Sequence, residues 1–99
     1  MSDPTLHHEP ARSRYELHAD GRMVGHVDYR DDGGRVVLTH TEIDPAEEGK
    51  GYGSRLAALL LEQLQADGRQ VVPACSFIAG YIRRHPDLAG LVAPEAREA

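Results

Sequence analysis

Ninety-nine residues make one small domain, which excludes a division into separate cofactor and substrate domains. With 11 basic side chains against 16 acidic ones the net charge is −5, which argues against nucleic acid and anionic membrane surfaces as partners, so an anionic ligand must be met by local charge. The single cysteine, Cys75, closes no internal disulfide and builds no multi-thiolate metal centre, and the longest apolar run, Leu56–Leu61, falls far short of the roughly 20 residues that cross a bilayer; a cytoplasmic chain without a metal site is expected.

Residues 1–13 are polar, contain proline and lack periodicity, which predicts a flexible N-terminal tail that includes His7 and His8. A single domain is expected over residues 14–93, followed by a C-terminal tail over 94–99. Tyr15, Leu17 and Ala19 alternate with polar residues and predict a strand, and Asp20-Gly21 suits a two-residue hairpin turn. Met23, Gly25, Val27 and Tyr29 resume the alternation up to the turn Asp31-Asp32-Gly33-Gly34, and Val36 to Ile43 reads as a third strand. Leu56, Leu59, Leu60 and Leu64 then recur at helical spacing, and Gly68 supplies a left-handed stop. Gln70 to Ala74 predicts a short strand, and Ser76 to about His85 a second helix ended by His85-Pro86, with Leu91-Val92 packing back afterwards. The fold class is α+β: an antiparallel three-strand meander, a helix crossover to a parallel fourth strand, and a second helix.

The stretch Glu48-Gly49-Lys50-Gly51-Tyr52-Gly53-Ser54 places three glycines between a strand and a helix. Such a turn lets backbone approach a ligand closely, and the unpaired amides of a helix start favour an anion such as a diphosphate. Lys50 and Arg55 add the positive charge that the chain as a whole lacks. The spacing is not that of a P-loop, because Lys50 is followed by Gly51 and not by a hydroxyl. It is not a dinucleotide fingerprint either, because the loop follows an antiparallel meander.

The two glycines Gly51 and Gly53 fall in register with the Arg/Gln-x-x-Gly-x-Gly/Ala signature of the GNAT superfamily, the acetyl-coenzyme A dependent N-acetyltransferases, with Glu48 at the usual Arg/Gln position. The chain resembles more closely a subfamily of very small single-domain members. Four motifs occur in order: Thr39-His40-Thr41-Glu42-Ile43, the glycine loop, Val72-Pro73-Ala74-Cys75-Ser76-Phe77, and Tyr81-Ile82-Arg83-Arg84-His85-Pro86. The likeness runs from about Tyr15 to Val92 and implies an abridged GNAT fold. It also implies acetyl-coenzyme A as cofactor, held by the backbone of Thr41, Glu42 and Ile43 and by Glu48 through Ser54, and an amine acceptor, small molecule or protein lysine, for a monomer or weak dimer. The N-terminal helices that usually shape the acceptor pocket have no counterpart, so that side is expected to be open or completed by a partner.

Acetyl transfer needs a neutral amine, donors to the carbonyl oxygen and a proton for the departing thiolate. Pro73 has no amide hydrogen, so the parallel ladder is expected to weaken there and leave a slot for a pantetheine arm. Cys75 stands at the mouth of that slot, where a helix N-terminus favours thiolate; base, transient acetyl acceptor and plain packing are its three readings. His40 and Glu42, two apart, are expected on the face of Val36 and Leu38, as a proton relay or as a core histidine beside a surface charge. Tyr81 is a donor to the leaving thiolate by resemblance, or a packing ring. Arg83 and Arg84 meet a 3′-phosphate or serve as solvated charges at a helix end. Gly80 within that helix suggests close approach of ligand or backbone. A non-catalytic acyl-coenzyme A sensing or docking module, and a thiol enzyme without coenzyme A, are the competing functions.

Overall fold

The structure, a computed structural model, describes residues 3–96. Its strands are β1 (Thr5–Glu9), β2 (Arg14–Ala19), β3 (Arg22–Asp32), β4 (Arg35–Ile43) and β5 (Gln70–Pro73), and its α-helices are α1 (Tyr52–Ala66) and α2 (Ser76–Arg83). One five-stranded sheet runs in the order β1-β2-β3-β4-β5, antiparallel up to β4 and parallel between β4 and β5, so the fold is α+β with α1 as the crossover. The β2–β3 and β3–β4 hairpins close with consecutive left-handed residues, Asp20 and Gly21 at φ 52° and 80° and Gly33 and Gly34 at 58° and 92°, the backbone that matches strand twist.

Two expectations at the chain ends are corrected. Thr5–Glu9, expected as tail, is an edge strand paired with β2 from Thr5↔His18 to Glu9↔Arg14, so the meander has four strands. Its anchors are a single aliphatic side chain, Leu6, packed on the core, and a set of rings, without an apolar stripe. His8 stacks on Tyr15 with centroids 4.2 Å apart and its Nε2 lies 2.6 Å from the Tyr29 hydroxyl, while His7 lies against His18 on the other face at 4.2 Å. At the other end, Pro94–Ala96 makes a 3₁₀ turn, with Ala96 packed on the core; residues 97–99 of the expected tail lie outside the described residues.

The core forms where α1 covers the sheet. Leu56, Ala57, Leu60, Leu61 and Leu64 are buried with Leu17, Val24, Val27, Val36, Leu38 and Val71. Leu59, expected in the stripe, is only half-buried, and Leu61 takes a core place in addition. Helix α1 ends as the sequence predicts, with Gly68 at φ 70° and the Arg69 amide donating to the Leu64 carbonyl at 2.9 Å. Helix α2 stops at Arg83, shorter than expected; His85 leaves the helical path, its ring Nδ1 2.8 Å from the Tyr81 carbonyl oxygen, and Pro86 opens a 3₁₀ turn over Pro86–Leu91. Leu91 and Val92 do pack back: Val92 bridges Val71 in parallel, and the Ala93 amide donates to the Val71 carbonyl at 2.8 Å. Among the described residues no helix is long and apolar enough to cross a membrane.

Candidate active site

The site begins where β4 loses its partner. The parallel ladder pairs Arg35↔Gln70, Val36↔Val71, Val37↔Val72 and Leu38↔Pro73 and ends there. The Ala74 amide turns back to the Val72 carbonyl at 3.0 Å, so the chain leaves the sheet and β4 continues from Thr39 to Ile43 with β3 on one side only. At the same point β4 carries a bulge: Asp28 pairs with His40 and Tyr29 with Leu38, and the extra residue, Thr39, donates its hydroxyl to the Asp28 carbonyl at 3.2 Å.

That extra residue changes which side chains face the core. His40 and Glu42 were expected on the face of Val36 and Leu38; beyond the bulge the half-buried positions are Thr41 and Ile43, and His40 and Glu42 are exposed. The His40 ring still meets Glu42, Nε2 to Oε1 at 3.3 Å, and shares its face with His26 at a ring separation of 6.3 Å. Thr41 between them points the other way and accepts a hydrogen bond from the Cys75 thiol, Sγ to Oγ1 at 3.2 Å. The structure thus brings Cys75 to Thr41 and leaves the His40–Glu42 pair on the opposite face of the strand.

Cys75 is half-buried and is the N-cap of α2. Burial pushes its thiol up, but the Thr41 hydroxyl, which turns from acceptor to donor once the sulfur ionises, the amides of Ile78 and Phe77, and the Thr41 amide all favour the thiolate and prevail, so Cys75 ionises below the ordinary thiol value. A second helix start adjoins the first. A Cβ on Gly53, in the first turn of α1, would lie 2.9 Å from the tip of the Phe77 ring in the first turn of α2. The positive ends of two helix dipoles therefore meet beside the open half of β4.

The glycine loop lies at the head of α1. Gly51 is its N-cap, with no capping side chain, so the amides of the first turn after it have neither a helical nor a side-chain acceptor. Gly49 and Gly51 hold φ of 83° and 80°, and a Cβ on either would meet open space, so a side chain there would occupy room that a ligand can use. Gly53 differs, because a side chain there would press on the tip of the Phe77 ring. Ser54 and Arg55 are exposed, Tyr52 packs against the core, and Glu48 is exposed at the end of a 3₁₀ turn over Pro45–Glu47.

The residue that sequence reasoning missed is Glu47. It is only 3% exposed and accepts from Lys50 Nζ at 2.9 Å with one oxygen and from Arg22 at the start of β3 with the other. These two hydrogen bonds, Lys50 first, hold its carboxyl below the usual carboxylate range. Asp44-Pro45 announces the turn, with the Asp44 carboxylate accepting from the Ala46 amide at 3.0 Å, but a buried acid within it has no periodicity to betray it. Lys50 is consequently paired with Glu47, although about half of its side chain remains open to solvent.

Tyr81 is buried in the core and stacked on His85 at 4.0 Å. Arg84 is exposed at the end of α2. The space at Gly80, expected to admit a ligand or backbone, holds the guanidinium ends of Arg84 and Arg83, 3.4 and 3.6 Å from where a Cβ would stand.

A family model described as GCN5-related N-acetyl-transferase matches residues 14–91. The solution structure of a GCN5-like protein from Staphylococcus aureus superposes with a TM-score of 0.68 at 16% identity, covering 94% of this chain and 91% of that one. At that identity the likeness is one of fold. No curated protein matches the chain.

Proposed function

This chain belongs to the GCN5-related N-acetyltransferase family, and on that premise we propose that it binds acetyl-coenzyme A and transfers the acetyl group to an amine. The observation that carries the reading is the convergence at one place of the open half of β4, the uncapped glycine loop and a thiol favoured as thiolate. In this reading the amides from Gly49 to Ser54 hold the diphosphate, and the unpaired edge from Thr41 to Ile43 offers main-chain groups to the pantetheine arm. The cofactor supplies, when bound, an acetyl thioester and a thiol leaving group.

The chain's own work is to orient and to move a proton. Thr41 fixes the Cys75 sulfur, and the amides at the start of α2 favour its ionised form, so Cys75 takes a proton from the incoming ammonium and holds it within reach of the departing sulfur. A lysine-type amine at its ordinary pKa of about 10.4 is neutral at pH 7 only at a cost of roughly 4.6 kcal/mol, which is the demand a nearby base answers. His40 and Glu42, on the other face, are assigned no proton transfer at Cys75. The free thiol fits a reducing, cytoplasmic setting.

The test is calorimetric titration with coenzyme A followed by turnover of acetyl-coenzyme A against a panel of small amines and lysine peptides. Binding with turnover of at least one amine is expected. Binding without turnover on any acceptor would favour the sensing module, and absence of binding would remove the diphosphate site.

A further inference from the structure

The glycine loop presents a physical problem: Lys50 lies between two left-handed glycines, Gly49 and Gly51, in a segment with great backbone freedom. An anion cradle works when its amides are already aimed, since ordering them on binding weakens affinity. What ties this loop down is Glu47. Its buried carboxylate joins Lys50, the only lysine in the chain, to Arg22 at the start of β3, next to the Asp20-Gly21 turn. One acid thereby connects the loop to the rigid meander.

We propose that Glu47 is a positioning residue for the diphosphate of the cofactor, holding the loop from Gly49 to Gly53 in its binding conformation through Lys50 and Arg22. The inference rests on the reading of this loop as a diphosphate cradle. Charge alone predicts the reverse of positioning. Glu47 is an anion close to the site of a bound anion, so neutralising it raises the local positive charge and should tighten binding if its role were only electrostatic. If its role is to aim the loop, neutralising it weakens binding in spite of the gained charge.

The experiment is a ¹⁵N NMR titration of the full chain with coenzyme A and, separately, with pantetheine, which lacks the diphosphate. Glu47→Gln is expected to raise the coenzyme A Kd about tenfold, the equivalent of one charge-assisted hydrogen bond, and to leave the pantetheine Kd unchanged. In the unliganded variant the Gly49–Gly53 amides should also lose order on the fast timescale. Unchanged or tighter coenzyme A binding, or equal weakening of both ligands, would overturn the proposal. If Glu47→Gln fails to fold, Arg22→Met reads the same quantities from the far side of the clasp, with Arg22→Lys expected to restore both affinity and loop order. A wild-type chain that binds pantetheine but gains nothing from the diphosphate would overturn the cradle itself, and this proposal with it.

Discussion

The two halves of β4 differ more than their sequences suggest. Arg35–Leu38 is hydrogen-bonded to β3 on one edge and β5 on the other, and Val36, Val37 and Leu38 are all buried; Thr39–Ile43 keeps only β3 and exposes His40 and Glu42, two of the four residues that follow the bulge. A strand paired on both edges commits its main-chain groups to the fold. A strand that loses a neighbour presents them to whatever extended group lies alongside. The change falls at Leu38↔Pro73, where a residue without an amide hydrogen ends the ladder, and every feature assigned to ligand binding stands on the far side of it.

The contrast can be broken by substitutions on either side of that boundary. The largest effect is expected within the paired half: Leu38→Ala should cost about 2–5 kcal/mol in urea unfolding while coenzyme A affinity per folded molecule stays near wild type, because Leu38 is fully buried. A loss below about 1 kcal/mol would mean the first half is not the structural one. Next comes Cys75→Ala, expected to lower turnover by about 10²-fold or more with little change in melting temperature. Normal turnover per folded molecule with a lower melting temperature would return Cys75 to packing. Smaller again is Gly51→Ala. Its φ of 80° makes an L side chain there cost about 1–2 kcal/mol of stability, and the Cβ would stand in open space next to the loop amides, so coenzyme A binding should weaken too. Gly53→Ala should act instead through Phe77, and Phe77→Ala should relieve it; an equal response of both glycines would erase the distinction drawn between them.

How much of this was legible depends on whether the signal was local. The hairpin pairs Asp20-Gly21 and Gly33-Gly34, the leucine stripe of α1 and the glycine loop follow from rules that act within a few residues, the parallel crossover follows from the order strand, helix, strand, and all are present. β1 escaped because its docking uses one aliphatic side chain, Leu6, with His7 and His8 against rings further along the chain, not an alternation of aliphatic residues. The bulge at Thr39 escaped because one extra residue in a β-rich run leaves composition unaltered, yet it moves His40 and Glu42 to the opposite face from that which strict alternation predicts. Glu47 escaped because burial of an acid is decided by two cations, one 25 positions away. Cys75 and Thr41 were each singled out by motif, but their contact spans 34 positions and belongs to the tertiary structure alone.

The smallest effect concerns the contact that joins the open half of β4 to α2. Thr41→Val keeps the β-branched shape and removes the hydroxyl, the first of the groups that draw the Cys75 thiol below its ordinary value against the opposing push of burial. A folded-state value below the unfolded one means that, between the two, the unfolded chain holds more protons, so stability rises with pH through this window. The contribution is complete above the ordinary thiol range, near 8.5, and is lost as pH falls through the folded value. Tyr15 and Tyr29, pushed up by burial, titrate above that window and do not mask it. In Thr41→Val the thiolate absorbance should therefore appear at higher pH and the rise of stability with pH should flatten, at an overall cost of about 1 kcal/mol or less. The amides of Ile78 and Phe77 remain and keep part of the depression. An unmoved titration would assign the whole depression to the helix start and leave the free half of β4 without a role in holding the sulfur.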